Sequence, residues 1–314
     1  MEEKNGYDEG VSLMLPHFIT EWFPKFIPEV LQLDTQTRCN NKCVYCNPQN
    51  SFNLGSHEMN RDTLMRVMQQ LNLTGWARNI KQYRPFMNGD PLLDNNLDLF
   101  LEAGKVFLPN SKTYLLSNGA LFPQSKILLD PRIDVISLSV SAATKETYYK
   151  IHGSDNFNNV LKTFRYLMEN KKAHQEVRVS FIACLNNEVE LPKWRNLFKD
   201  ANSLDVSMIH SSKVQATSLQ VGQTKVKGNI CNPNLLDMNM ACNIWNNLSV
   251  SWDGKWLQCC DLPSDYNYGD VYDTPLLDAW RRRIKDQLRC SGCHDCNLKH
   301  TRHRLITWLA RLSL

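Results

Sequence analysis

Three cysteines in the run Cys39-Asn-Asn-Lys-Cys43-Val-Tyr-Cys46 stand at C-x3-C-x2-C spacing. Thiolates are soft ligands, and short spacings of this kind are typical of runs that hold iron–sulfur clusters. Three thiolates can grip one face of a small cluster and leave one iron open to a substrate or cofactor. Zinc also takes close-set cysteines, but it wants a fourth ligand nearby. The next histidine, His57, has no partner cysteine at knuckle spacing. Spacing alone therefore favours an iron–sulfur site.

The chain has 11 cysteines, unevenly spread: three at 39–46, one at 184, and seven between 231 and 296. That distribution points to two metal sites rather than to disulfides or scattered core residues. In the second field Cys242 precedes an alternating run, Leu248–Trp252, then Asp253-Gly254 and Cys259-Cys260. An Asp-Gly pair between alternating segments is a strong hairpin signal, and it brings Cys242 and Cys259 together at the hairpin base. Cys290, Cys293 and Cys296 add closely spaced thiols. Four cysteines in two pairs also suit zinc, so both metals stay open for this field.

With 314 residues, 42% of them hydrophobic, the chain has ample core for one large domain or two. A formal charge of +4 is too small for this length to point to nucleic acid. No run approaches the roughly 18–20 apolar residues of a membrane span. The opening Met-Glu-Glu-Lys lacks the basic-then-apolar order of a secretory signal, and a cytoplasmic protein is expected.

The cysteine run must be positioned by its surroundings. Val30–Thr37 alternates apolar with polar residues and predicts a strand that delivers Cys39. Further strands are predicted over 80–87, 112–116, 133–140, 177–185 and 204–209. Apolar residues at helical spacing predict helices over 61–73, 97–106, 156–169, 191–198 and 276–289. Alternating strands and helices argue for an α/β fold with a parallel sheet and ligand sites at the C-terminal strand ends. Residues 1–26 read as a lead-in, 27–215 as the core domain and 216–230 as a linker. Residues 231–297 read as a small cysteine-rich domain, and 298–314 as a basic amphipathic helix packed back on it.

The cysteine array resembles the hallmark of the radical S-adenosylmethionine (radical SAM) superfamily, where it follows the first strand of a partial (βα)6 TIM-like barrel. The resemblance implies that Cys39, Cys43 and Cys46 hold a 4Fe–4S cluster whose open iron is chelated by S-adenosylmethionine. One electron then cleaves the cofactor to methionine and a 5′-deoxyadenosyl radical. Tyr45 is the aromatic residue before the last cysteine. Met87-Asn88-Gly89-Asp90 resembles the family's Gly-Gly-Glu stretch, with Asn88 for the first glycine and Asp90 for the glutamate. Ser117-Asn118-Gly119 resembles the Thr-Asn-Gly turn. Ser139 and Ser141 fall where the family has a polar contact to ribose or carboxylate, with Ser141 in place of a frequent aspartate. Asn187, with Asn186, is a further cofactor contact. Tyr148–Gly153 resembles a segment leading into the next helix, in which Lys150 and His152 read first as a solvated helix end, with contact to cofactor or substrate as the alternative.

The later cysteines resemble a SPASM or twitch extension without the full SPASM series. This implies one auxiliary 4Fe–4S cluster on Cys242, Cys259 and two of Cys290, Cys293 and Cys296. Cys184, Cys231 and Cys260 are left over; such cysteines are usually small buried hydrophobes, and hydrogen-atom donation to a substrate radical is the sharper alternative.

The implied activity is that of a radical SAM oxidoreductase or epimerase acting on a C–H bond of a small molecule or sugar. A peptide maturase with the same chemistry is the alternative, and a zinc-stabilised binding protein without turnover is the third reading. Only about 38 residues precede Cys39, too few for a peptide-binding domain of usual size, which leans towards a small molecule. The implied partners are that small-molecule or peptide substrate and an electron donor such as flavodoxin or ferredoxin, with no nucleic acid and no membrane span.

Overall fold

Strand β1 (Val30–Leu33) is buried along its whole length because parallel strands flank it on both sides. The computed structural model describes residues 27–46, 55–183, 187–208, 219–221, 224–226, 246–260 and 266–287. β2 (Gln82–Arg84), β3 (Lys112–Ser117), β4 (Val135–Ser139), β5 (Glu176–Ala183) and β6 (Ser203–Met208) follow β1 in sequence and in space, each parallel to the last. The connections carry α1 (Arg61–Leu73), α2 (Leu97–Phe107), a 3-10 segment (Gln124–Leu129), α3 (Lys145–His152), α4 (Phe157–Asn170) and α5 (Leu191–Leu197). This is the α/β architecture of a partial TIM-like barrel, an open sheet with helices on its outer face.

Local chemistry explains the boundaries. Asn60 caps α1 by accepting from Thr63 N at 2.7 Å, and Leu64, Val67, Met68 and Leu71 recur on its buried face. β2 is shorter than its apolar run suggests, because Pro85 follows at once and has no N–H to pair. β5 alternates strictly: Val177, Val179, Phe181 and Ala183 are buried against helices, while Arg178 and Ile182 face the barrel interior.

The Asp253-Gly254 hairpin forms as expected, and its strands continue the main sheet beside β1. β9 (Asn247–Val250) lies parallel beside β1, with Val30 opposite Asn247 and Leu33 opposite Val250. β10 (Lys255–Leu257) and β11 (Asn267–Asp270) continue outward, giving the order β11-β10-β9-β1-β2-β3-β4-β5-β6. β7 (Leu219–Val221) and β8 (Thr224–Val226) form a separate antiparallel pair. The cause is apolar: Leu248 and Val250 enter the same core cluster as Leu31 and Leu33, and Trp280 of α6 (Leu276–Gln287) packs edge-on to Trp76 at 6.1 Å. Because β10 runs antiparallel to β9, the chain leaves it at the N-terminal edge of the barrel strands. Cys259 and Cys260 therefore stand at the opposite end from Cys39, which follows the C-terminal end of β1.

Candidate active site

The cysteine loop is fastened to the turn after β2. Gln36 Nε2 donates to the carbonyls of Asp90 at 2.7 Å and Arg38 at 3.1 Å, and Asp90 N donates to Arg38 O at 2.8 Å. The two segments run so close that a Cβ on Gly89 would stand 2.4 Å from Gln36 O, so only glycine fits. Asp34, just past β1, accepts from Asn88 N at 3.1 Å and from Asn88 Nδ2 at 2.8 Å.

Asp90 is buried, and its carboxylate is engaged by the protein itself. It accepts from Leu92 N at 3.0 Å, from the Ser117 hydroxyl at 3.1 Å and from Asn118 N at 2.7 Å. It thus ties the motif after β2 to the turn after β3. Asn118 Nδ2 donates in turn to Asn40 Oδ1 at 2.8 Å and stands 3.7 Å from Cys39 Sγ.

The other side of the loop is held by the end of α3. Lys42 N donates to His152 O at 2.8 Å and Val44 N to Ile151 O at 2.9 Å. Gly153 closes the helix at φ +65°, where a Cβ would also stand 2.8 Å from Lys42 O. His152 corrects the expectation of a solvated helix end, since it is fully buried. Its Nε2 accepts from Ser141 N at 3.0 Å, and its Nδ1 lies 3.1 Å from Cys43 Sγ. A ring nitrogen that accepts carries no hydrogen, and burial holds the ring neutral with its pKa pushed down to about 3. The proton is therefore on Nδ1, aimed at the sulfur.

Ser139 lines the cavity behind these cysteines, as do Tyr45, Asn88, Gly89, Asp90, Ser117 and Asn118. Ser141 and Asn187 sit behind that wall. Ser141 Oγ meets Tyr45 OH at 3.2 Å and accepts from Ile182 N at 3.0 Å, while Asn187 Nδ2 donates to Ser141 O at 2.8 Å. Both brace the loop from behind. Sequence reasoning passed over Asp34 and Gln36, whose one signal is the periodicity of polar residues just past a strand end; it named His152 but not its place behind Cys43.

Cys39, Cys43 and Cys46 rim one cavity of about 520 Å³. Burial pushes the Cys39 thiol up to about 11, with the neighbouring Asp90 and Cys46 charges adding to it. Cys43 is also raised well above its ordinary value, by burial and by the other two thiols. Three crowded thiolates call for a multivalent cation to carry their charge. Among the described residues no three Cys, His, Asp or Glu side chains converge on a single ion. In a cubane each thiolate binds a different iron, so thiols spread around one cavity fit a cluster. The same cavity reaches Cys260 at its far end. Cys242, Cys290, Cys293 and Cys296 lie outside the described residues, as do Cys184, Cys231, Asn186, the lead-in 1–26 and the tail 298–314.

The model of the radical SAM superfamily matches residues 33–191, about half of the chain. The chain belongs to the radical SAM superfamily. The SPASM iron–sulfur cluster-binding domain matches residues 242–297. This radical SAM protein is 26% identical over 137 residues to a GTP 3′,8-cyclase of Nautilia profundicola, covering 43% of this chain and 42% of the relative. It is 26% identical over 98 residues to an S-adenosyl-L-methionine-dependent 2-deoxy-scyllo-inosamine dehydrogenase of Niallia circulans, covering 31% and 38%. The chain thus spans about two fifths of the length of these curated relatives. Among solved structures, Streptococcus suis SuiB bound to its precursor peptide SuiA superposes with a TM-score of 0.62 at 14% identity, covering 96% of this chain and 79% of that one, a likeness of fold.

A radical SAM domain carries a 4Fe–4S cluster and S-adenosylmethionine, and a SPASM domain carries auxiliary iron–sulfur clusters; these are the cofactors of this protein. Among the described residues no helix is long and apolar enough to cross a membrane.

Asp34 makes the assembly pH-sensitive. Burial is the main cause of its carboxyl being pushed up to about 7, and Asp253 adds to it against the two Asn88 hydrogen bonds. The folded pKa lies above the unfolded one, so this stabilisation is fully present below about pH 4 and is lost as pH rises through about 7. The loss amounts to about 1.4 kcal/mol per pH unit inside that window. Asp34→Asn is expected to remove this component, measured by urea unfolding at pH 4.5, 6 and 7.5. Equal pH slopes in the two proteins would refute it.

Proposed function

We propose that this enzyme removes a hydrogen atom from a C–H bond of a small molecule held in the barrel, in the course of a dehydrogenation or an epimerisation. The observation that carries the reading is the single cavity with Cys39, Cys43 and Cys46 at one end and Cys260, next to Cys259, at the other. A substrate in that cavity has a radical source on one side and the second cysteine field on the other. Its volume of about 520 Å³ is within the usual range of ligand sites and is shared by S-adenosylmethionine and the substrate. The similarity to a dehydrogenase that uses S-adenosylmethionine supports the same reading.

In this reading Cys39, Cys43 and Cys46 hold the first cluster. Bound there, it supplies the electron that cleaves S-adenosylmethionine to methionine and a 5′-deoxyadenosyl radical. Gly89 and Asn88 present backbone and amide groups to the cofactor's amino end, and Ser139 presents a hydroxyl to its sugar. Asp90, Ser117 and Asn118 keep those segments in register. The substrate yields a hydrogen atom to the radical. In a dehydrogenation the one further electron would pass to the auxiliary cluster while a proton goes to solvent. In an epimerisation a thiol such as Cys260, which lines the cavity, would return a hydrogen atom to the opposite face, and its thiyl radical would then be reduced by the electron donor. Cys242, Cys259 and two of Cys290, Cys293 and Cys296 hold the auxiliary cluster, and flavodoxin or ferredoxin supplies electrons.

The test is anaerobic reconstitution followed by dithionite and S-adenosylmethionine. Release of 5′-deoxyadenosine and roughly eight irons per chain are expected. Absence of 5′-deoxyadenosine would overturn the reading, and near four irons would leave the second field to zinc or to nothing. A peptide substrate is distinguished by deuterium: label placed on a small molecule and recovered in 5′-deoxyadenosine excludes it.

A further inference from the structure

In the same cavity, within electrostatic reach of Cys260, stands a group of polar side chains that none of the chemistry above employs. Arg84, at the end of β2, points into the cavity, with Cζ 5.9 Å from the centre of the Tyr114 ring on β3. Arg178 of β5 approaches the same ring at 5.6 Å. Arg178 is neutralised by Glu176, which accepts from its Nε at 2.9 Å and its Nη2 at 3.0 Å. Arg84 has no carboxylate paired to it in this way; the Cys260 thiol and the Tyr114 hydroxyl are the acidic groups within reach. Among the described residues it forms no ion pair, and its Nη2 donates only to the neutral Gln82 Oε1 at 2.6 Å.

A guanidinium stays charged at any relevant pH, so placing one in a part-dry cavity without a carboxylate paired to it is costly unless something else supplies the charge. Burial pulls its pKa below the ordinary value; Cys260 and Tyr114 act against that, and Arg178 adds to it. Opposite Arg84 in the strand register is Gln32 of β1, 7% exposed, which also lines the cavity. Gln32 Nε2 donates to Phe86 O at 3.3 Å, but its Oε1 is buried and accepts from nothing. A buried acceptor without a donor and a guanidinium without an anion therefore stand side by side. The two groups lack complementary things.

We propose that Arg84 and Gln32 form a substrate subsite for an anionic group that bears a neighbouring hydroxyl or amine. The anion, a carboxylate or a phosphate monoester, takes the fork of Arg84 with Arg178 behind it. The hydroxyl or amine donates to Gln32 Oε1. Anchored there, the rest of the molecule extends towards Cys39–Cys46, where hydrogen abstraction takes place. The subsite deepens the small-molecule reading above and names its substrate class. It is tested by binding alone, without reductant, so it can fail while 5′-deoxyadenosine release succeeds, and the reverse.

The experiment titrates benzoate, mandelate and phenyl phosphate into the anaerobically reconstituted full chain with S-adenosylmethionine, by calorimetry at low salt. One saturable site is expected. Phenyl phosphate as the tightest probe identifies a phosphate substrate, and mandelate as the tightest identifies a hydroxy acid. Arg84→Gln is expected to weaken the binding about tenfold or more, since charge-assisted forks are the strong hydrogen bonds. Arg84→Lys keeps the charge without the fork and is expected to fall between the two, which separates anion recognition from misfolding. Gln32→Leu is expected to abolish the preference for mandelate over benzoate. Failure of all three probes to bind, or binding unchanged in Arg84→Gln, overturns the subsite. An unchanged mandelate preference in Gln32→Leu overturns the part assigned to Gln32.

Discussion

Cys43→Ala is expected to reduce 5′-deoxyadenosine release to the level of protein-free controls and to lower bound iron from roughly eight to roughly four per chain. Cys43 is the middle thiol of the run, and its position is fixed from three directions. Lys42 N and Val44 N on either side donate to the end of α3, Cys46 N donates to Cys43 O at 3.0 Å, and the His152 ring abuts its sulfur. Alanine loses the sulfur while keeping every one of the backbone bonds. The fold is expected to survive, with an unchanged far-ultraviolet spectrum, because Cys43 belongs to a small satellite cluster with Val44, Tyr45 and Ile151, apart from the two main cores. Two cysteines on one side of a cavity cannot replace three in holding a cubane. Native-rate release from this variant would remove the radical site from Cys39–Cys46 altogether.

Much of this arrangement is legible in the sequence because each motif sits directly after a strand, and strand periodicity is a local signal. Asn88–Asp90, Ser117–Asn118 and Ser139 all reach the cavity rim for that reason. What the sequence hides is long-range pairing. Nothing local says that Asn247–Val250 pairs with β1 across more than 200 residues, because Leu248 and Val250 would suit any buried hairpin. The interior face of the barrel is hidden for a related reason. Arg84, Tyr114 and Arg178 lie far apart in the chain, each an ordinary polar position in an alternating strand, and only the register brings them onto one ring. His152 shows the reverse case. A histidine one residue before a helix-ending glycine usually meets water, and here the docking of that helix end on Lys42 and Val44 carries it into the interior.

That docking gives His152 a large expected effect. His152→Phe keeps a flat ring beside Tyr148, which stacks on the imidazole at 4.3 Å, but removes both hydrogen bonds. It leaves Ser141 N without an acceptor and the Cys43 sulfur without a donor. Each orphaned buried group costs about 1–3 kcal/mol, so a loss of about 2–6 kcal/mol is expected, or a Tm lower by roughly 3–9 °C. His152→Asn distinguishes the two contacts. Its amide nitrogen can take the place of Nδ1 and still donate to Cys43, while the acceptor for Ser141 N is lost. Thermal unfolding of the full chain is therefore expected to place His152→Asn between wild type and His152→Phe. The ring is neutral far above its depressed pKa, so this order should hold from pH 6 to 8. If His152→Asn unfolds with His152→Phe, the bond to Cys43 contributes nothing, and the helix end is held by its backbone contacts alone.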